Sequence, residues 1–343
     1  ETEMRICVAD TAGMPTASRF RNLHGEAVRI IDVSEMSGDY ESFLRAGEAA
    51  DLPPAPHTGD VAAQIYTSGT SGVPKGVMLS HAALLASRRM ERTVAEPWSD
   101  WRQGEVNLVC MPNFHVSGAL SVVAGIVNLG CTLLLPQFEV SAVLDVLART
   151  PPARLLLVPS AIKLLLDDPQ SHGVDFSKVR FVLYGGSPMP APLMVEIRAR
   201  INCEFVQFYG MTETAGRATY LPPGDHRPGQ RRASAGKPFP GVKIAIRDEA
   251  GLDLAQGEVG EICLSSPSVM SGYWARPAET EKVLHDGWYR TGDVGHLDAD
   301  GYLYVVDRLN DKIVTGGENV YPSEVEGALR AHAAVADAAV CAL

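Results

Sequence analysis

The residue types best suited to chemistry stand together in Tyr66-Thr67-Ser68-Gly69-Thr70-Ser71-Gly72-Val73-Pro74-Lys75-Gly76. Small hydroxyl side chains and glycines let a backbone come close to a phosphate chain, where exposed amides and hydroxyls cradle its oxygens. Lys75 adds a point charge. The spacing is not that of a Walker A loop, because Pro74 precedes the lysine and Gly76 stands where Ser or Thr belongs. Three later segments extend the same chemistry. Tyr184-Gly185-Gly186-Ser187-Pro188 and Tyr209-Gly210-Met211-Thr212-Glu213-Thr214 each follow an apolar run, and open α/β sheets bind ligands just beyond the carboxyl ends of their strands. Tyr209 suits stacking on a base, Thr212 donation to a phosphate, and Glu213 a hard cation. Tyr289-Arg290-Thr291-Gly292-Asp293 is followed by Asp307-Arg308. A carboxylate such as Asp293 suits the paired hydroxyls of a ribose. Taken one at a time, each segment is equally a turn, a helix cap or an exposed ion pair.

The elements that must position these groups follow from hydrophobic periodicity. A β-branched run at 28–33 and a surface helix at 40–47 precede a Pro-rich linker at 52–57. Strands then alternate with helices. Strands are expected at 64–67, 106–111, 131–135, 154–158, 179–184 and 204–208. Helices are expected at 80–95 (with Ser80 as N-cap), 117–128, 141–149, 160–166 and 191–200. The strands are nearly continuous apolar runs, as in a parallel sheet covered on both faces. After Leu221, Pro and Gly become frequent and the strands at 243–247, 261–265 and 301–306 are short. A helix at 323–332 and the start of a strand at 334–343 follow. The expected fold is α/β: mostly parallel sheets covered by helices, then a smaller β-rich, barrel-like subdomain and the start of a small α+β C-terminal domain.

Length and charge bound the function. At 343 residues, about two domains fit. Thirty Lys and Arg against 41 Asp and Glu give a net charge of −11, which argues against a nucleic-acid partner but leaves an anionic small ligand open. No apolar run reaches the ~18–20 residues of a membrane span, so no integral membrane segment is expected. The six cysteines form no CxxC pair and read as buried thiols of a reducing, cytoplasmic protein.

Together the motifs YTSGTSGVPKG, MPNFHVSG, YGGSPMP, QFYGMTETAG, GYW, WYRTGD, GYLYVVDR and GGENVYPSEVE, in this order, resemble the adenylate-forming acyl-CoA synthetases, the AMP-binding enzymes. The resemblance runs from about Asp60 to the C-terminus. It implies ATP-dependent activation of a carboxylic acid to acyl-AMP, then thioester formation with coenzyme A, with Mg²⁺ as cofactor. Thr67, Ser68, Gly69, Thr70, Ser71, Gly72 and Lys75 then hold the β- and γ-phosphates. Gly185, Gly186, Ser187, Tyr209, Gly210 and Met211 frame the nucleotide, Thr212 meets the α-phosphate, and Asp293 and Arg308 hold the ribose. Glu213 and Thr70 ligate Mg²⁺, and Thr212, Glu213 and His115 are the catalytic candidates. The acyl pocket is expected at His115, Val116, Gly118, Gly210 and Arg217, the coenzyme A side at Gly316, Gly317 and Glu318, and the hinge at Asn310. The matching boundaries are 1–59 for a partial N-terminal region, 60–220 for the nucleotide- and acyl-binding subdomains, 221–308 for the β-rich subdomain, and 309–343 for the hinge and the beginning of a truncated C-terminal domain.

Departures from the pattern qualify that picture. Family members are longer, and the lysine that orients the substrate carboxylate has no counterpart; Lys312 lies too early. The chain is therefore expected to be a fragment, incomplete for full turnover. Asn310 replaces the usual Lys or Asp of the hinge. Where amino-acid-activating relatives place an Asp after Phe, Phe114 is followed by His115, so an ammonium finds no anion and an apolar acid is favoured. Arg217 is either a clamp for a second substrate carboxylate or a solvent-facing partner of an acid such as Asp225. A carrier-protein thiol as acceptor, a non-catalytic nucleotide- or acyl-adenylate-binding module and a homodimer remain compatible with the sequence.

Overall fold

The computed structural model describes residues 5–24, 28–34, 38–47, 55–67, 73–227, 229–315, 318–330, 332, 334–335 and 338–342. It divides into two compact units, 1–56 and 57–343. In the first, β1 (Ile6–Ala9), α1 (Met14–His24) and β2 (Arg29–Asp32) form a βαβ unit whose strands pair in parallel with Ile6 opposite Arg29, and α2 (Asp39–Ala46) follows. Only its second strand and second helix had a clear periodic signal.

The second unit opens with a hairpin, β3 (Val61–Thr67) and β4 (Lys75–Ser80), in which Thr67 lies opposite Lys75. The hydroxyl-rich segment therefore joins two antiparallel strands, the second of which, β4, is absent from the elements expected from periodicity. Ser80 caps α3 (His81–Thr93) as its residue type predicts, its Oγ accepting from the Ala83 amide at 3.1 Å. Next come β5 (Val106–Val109), α4 (Val116–Val127), β6 (Cys131–Leu134), α5 (Val140–Arg149), β7 (Arg154–Leu157), α6 (Pro159–Asp167), β8 (Phe181–Gly185), α7 (Ala191–Arg200) and β9 (Glu204–Tyr209). Their strands pair in parallel in the order β9-β8-β7-β5-β6. Leu108, Leu155, Val182 and Phe205 on the strands pack with Ile162 and Ile197 of the helices. At the amino ends of the strands, the wholly buried Arg154 donates to the carbonyls of Trp98 and of Asp100, and Glu105 takes Arg180 at 3.1 Å and the Arg102 amide at 2.8 Å.

β10 (Thr219–Leu221) turns back antiparallel on β9, and β11 (Lys237–Pro238) extends that edge. The remaining strands are β12 (Lys243–Arg247), β13 (Gly260–Ser265), β14 (Gly272–Tyr273), β15 (Leu284–His285), β16 (Trp288–Leu297) and β17 (Leu303–Arg308), with α8 (Pro277–Val283) after β14. All but β14 form an antiparallel sheet in which β16 pairs with β13, β15 and β17. β14 instead joins β4, tying this region to the opening hairpin. A short hairpin, β18 (Ile313–Thr315) and β19 (Glu318–Val320), and α9 (Pro322–Arg330) follow. The described residues of 334–343 form no strand, contrary to expectation. No described helix is long and apolar enough to cross a membrane.

His226 fastens the sheet below the ends of β8 and β9. It is 1% exposed, and its Nδ1 donates to the Pro222 carbonyl at 2.9 Å. Nε2 is then the acceptor, so the Tyr184 hydroxyl 3.0 Å away donates to it. The Gln207 amide, 3.0 Å from that hydroxyl, must turn its nitrogen toward it. Burial pushes His226 down to about 4. Its folded value lies below its unfolded one, so its contribution is whole above pH ~6.5 and disappears as pH falls toward 4. Urea denaturation at pH 7 and pH 4.5 should show an acid-side loss of about 3 kcal/mol in the wild type beyond that in His226→Gln. Parallel losses in the two proteins would remove His226 as its source.

Candidate active site

Of the expected site residues that are described, Gly185, Gly186, Tyr209, Gly210, Thr212, Asp293 and Arg308 lie where β8 and β9 end, at the carboxyl edge of the parallel strands. Gly185 closes β8 where a Cβ would stand 2.6 Å from the Phe208 carbonyl oxygen, and Gly186 has φ +80. No larger residue fits that approach. Gly210 then lets the chain fold back on itself, since a Cβ there would lie 2.7 Å from the Arg217 amide. Between them, Thr212–Thr214 form a short 3₁₀ turn, and Ala215 and Gly216 take positive φ. Thr212 and Glu213 are buried in this turn, whereas Ser187 is exposed.

Asp293, on β16, is 4% exposed and is met from both sides. The Tyr209 hydroxyl donates to Oδ2 at 2.7 Å, and Arg308 of β17 lies 2.9 Å from Oδ1. Burial raises Asp293, against the pull of Tyr209 and Arg308. Burial and the Asp293 charge push Tyr209 well up, so its hydroxyl stays protonated and donating. Glu213 receives the Tyr273 hydroxyl on Oε1 at 2.9 Å. The Tyr273 ring lies under the Lys75 ammonium, 5.1 Å from its centroid, and Lys75 pairs with Glu279 at 2.8 Å. Ser68, Gly69, Thr70, Ser71 and Gly72, and Gly316 and Gly317, lie outside the described residues. Among those described, no three His, Cys, Asp or Glu side chains converge on a metal site. A buried carboxylate linked through Tyr273 to the Lys75 ammonium nonetheless fits Mg²⁺, which takes one or two carboxylates together with substrate phosphates.

His115 caps α4: its Nδ1 accepts the Ser117 amide at 3.2 Å, and partial desolvation of the ring lowers its pKa. It is exposed rather than packed in a core. The first turn of α4 meets the 210–217 loop, for a Cβ on Gly216 would lie 3.7 Å from Val116. Gly118 is obligatory, with the Pro112 oxygen 2.3 Å from its notional Cβ. Asn310 is exposed within a turn closed by the Asp311 amide on the Arg308 carbonyl at 3.1 Å, and it does not have positive φ. Arg217 corrects the expectation of a solvent-facing group or a partner of Asp225. It is buried, stacks on Phe208 at 3.8 Å from the ring centroid, and faces Glu91 of α3 at 3.5 Å. Arg88 approaches the same carboxylate at 2.9 Å. Burial tends to raise Glu91, but Arg88 and Arg217, with Arg154 adding to them, outweigh it and hold the carboxyl below its usual range. Burial, then Arg88, push Arg217 down to about 9. A cavity of about 860 Å³ opens at the other edge of the strands, around Arg92, Trp101, Asn128 and Arg180; none of the expected site residues lines it.

Sequence reasoning missed four partners: Tyr273, Glu279, Glu91 and Arg88. The available signal was in α3, where Arg88 and Glu91 fall one turn apart on the face that also carries Ala83, Ser87 and Met90.

The family model of the AMP-binding enzymes matches residues 1–274. The fatty acid–[acyl-carrier-protein] ligase ScoC of Streptomyces coeruleorubidus is 40% identical over 84% of this chain and 57% of its own length. The medium/long-chain-fatty-acid–CoA ligase FadD8 of Mycobacterium tuberculosis is 39% identical over 85% of this chain and 49% of its own. The chain thus spans about half the length of these curated relatives. The solved structure of O-succinylbenzoate coenzyme A synthetase from Bacillus subtilis, in complex with ATP and magnesium ion, superposes with a TM-score of 0.82 at 31% identity, covering 98% of this chain and 66% of that one.

The Glu91 cluster yields a stability test. Glu91→Gln strands two buried guanidinium groups and should cost about 3–5 kcal/mol. Arg217→Leu keeps the Arg88–Glu91 pair and should cost less. Urea denaturation of both variants reads the order; a milder Glu91→Gln would refute it.

Proposed function

The chain belongs to the AMP-binding enzyme family, and on that premise we propose that it serves the ATP-dependent activation of an apolar carboxylic acid and transfer of the acyl group to coenzyme A. The observation that carries the reading is the Tyr209–Asp293–Arg308 chain beside the Thr212–Glu213 turn. A buried carboxylate with fixed donors at the carboxyl edge of parallel strands suits the paired hydroxyls of a ribose, and the tyrosine ring suits a base.

In the first step a substrate carboxylate oxygen bonds to the α-phosphorus, the bond to the bridging oxygen breaks, and pyrophosphate leaves with the electron pair. In the second, the thiol sulfur bonds to the acyl carbon, AMP leaves, and the thiol proton passes to solvent. Lys75 and the hydroxyl-rich segment neutralise the terminal phosphates, while Thr212 donates to the α-phosphate. Glu213 holds Mg²⁺, which supplies further charge neutralisation when bound. Val116, Gly118 and the loop through Gly210 line the acyl side, and His115 stands at its mouth. Arg217 supports that loop from behind through Glu91 instead of contacting the acid. Gly316, Gly317 and Glu318 serve the coenzyme A side, and the turn at Asn310 serves as the hinge.

A carrier-protein thiol is the second reading, favoured by the similarity to an acyl-carrier-protein ligase. A carboxylic-acid panel scored by pyrophosphate release, followed by AMP release with coenzyme A or with a carrier protein, separates the two. It should be run on this chain and on a form extended to the length of its relatives. Fatty or aryl acids should lead, and coenzyme A should release AMP; release with the carrier protein alone would favour the second reading.

Two substitutions test the site itself. Asp293→Ala should weaken ATP binding by ~1.5–3 kcal/mol, measured calorimetrically on folded protein. Unchanged affinity would leave Asp293 a structural ion pair. Glu213→Gln should slow adenylation at least ~10²-fold at subsaturating Mg²⁺. Equal rates would remove its role as the metal ligand.

A further inference from the structure

Lys75 is already engaged. Its Nζ lies 2.8 Å from Glu279 Oε2, with the lysine side chain 20% exposed and the glutamate 34% exposed. Glu279 is in the first turn of α8, and that turn is fastened to β14. Thr280 Oγ1 accepts the Tyr273 amide at 2.9 Å and donates to the Arg276 carbonyl at 2.9 Å. Gly272 lets the same threonine close in, since a Cβ there would stand 2.9 Å from Thr280 Cγ2. The acid is therefore held in place beside Lys75 by its own helix. Lys75 in turn holds the Glu279 carboxyl below its usual range.

Lys75 opens β4 immediately after the hydroxyl-rich segment, and its ammonium also covers Tyr273, whose hydroxyl reaches Glu213. A polyphosphate seated against this end of the hairpin meets the lysine together with a fixed negative charge. An incoming phosphate competes with this carboxylate for the same ammonium, and the nearby carboxylate repels it.

We propose that Glu279 is a built-in counter-ion for Lys75, displaced by the terminal phosphates of a nucleoside triphosphate and returning to the lysine as pyrophosphate departs. The proposal rests on the nucleotide-site reading above. It makes Glu279 a specificity-determining residue that selectively lowers affinity for ligands with β- and γ-phosphates. A monophosphate does not reach Lys75 and escapes the exchange.

The experiment is calorimetric titration of the chain with ATP and with AMP, at fixed Mg²⁺ and at two salt concentrations. Glu279→Gln should tighten ATP binding about 5- to 10-fold and leave AMP within about twofold. The ATP effect should shrink at the higher salt, because the pair is partly exposed. It should vanish in the Lys75→Gln background. Equal tightening of both nucleotides, no change for ATP, or an effect that survives in Lys75→Gln overturns the proposal while leaving the nucleotide site standing. A wild-type chain that binds neither nucleotide overturns the site and the proposal together. Thermal midpoints of the variants identify any that fail to fold; should Glu279→Gln be one, Glu279→Asp, which shortens the reach to Lys75 while keeping the charge, takes its place and should still tighten ATP binding more than AMP binding, and equal changes for the two nucleotides refute the exchange.

Discussion

A carboxylate removed from water has to be met by donors on its oxygens, and at Asp293 that requirement joins three parts of the chain. The residue stands on β16, one donor comes from the end of β9, and the other from β17. β9 belongs to the parallel sheet and β16 and β17 to the antiparallel one. The geometry therefore fixes where the antiparallel sheet sits at the carboxyl edge of the parallel strands. Its backbone contributes as well: the Asp293 amide donates to Thr291 Oγ1 at 3.0 Å, and Thr291 donates to the Ile262 carbonyl at 2.8 Å on β13. Displacing either sheet would strand a buried charge, and that is costlier than the loss of any exposed pair.

The same requirement recurs behind the 210–217 loop. Glu91, on the buried face of α3, is matched by Arg88 from its own helix and by Arg217 from the loop. The loop also needs Gly210 and Gly216 to turn, so its path is set by backbone permissiveness on one side and by a buried ion cluster on the other. Phe208, on whose ring Arg217 stacks, lies one residue before Tyr209 on β9. Support for the loop and placement of the candidate base-stacking ring thus share a strand.

How far the sequence could be read follows from which interactions are local. The parallel strands were legible because burial on both faces makes them continuous apolar runs, as in Phe181-Val182-Leu183-Tyr184. The Ser80 cap was legible because it is a contact over three residues. β4 was not: Lys75-Gly76 begins with a charge and a glycine, and its strand character comes from pairing with β3 and β14. Tyr273, Glu279 and Glu91 act on residues 60 or more positions away, or 126 in the case of Arg217, and no spacing rule reaches that far. Arg217 misled for a related reason. Its neighbours in sequence suggest a pocket wall, whereas the residue that decides its direction is on another helix.

The hairpin setting of the hydroxyl-rich segment has a consequence for how phosphate charge is met. Where such a segment runs directly into a helix, the free amides of the first turn and the helix dipole carry much of the positive potential. Here a strand follows from Lys75 to Ser80, and the next helix begins only at His81. Its first turn is already closed by Ser80. Among the described residues no helix N-terminus opens at the end of the segment, so the positive charge that β4 brings there is that of Lys75. An ammonium is a strongly hydrated, mobile charge, and its field depends on whatever anion it faces. The partner of Lys75 thereby matters more at this site than an exposed ion pair ordinarily does.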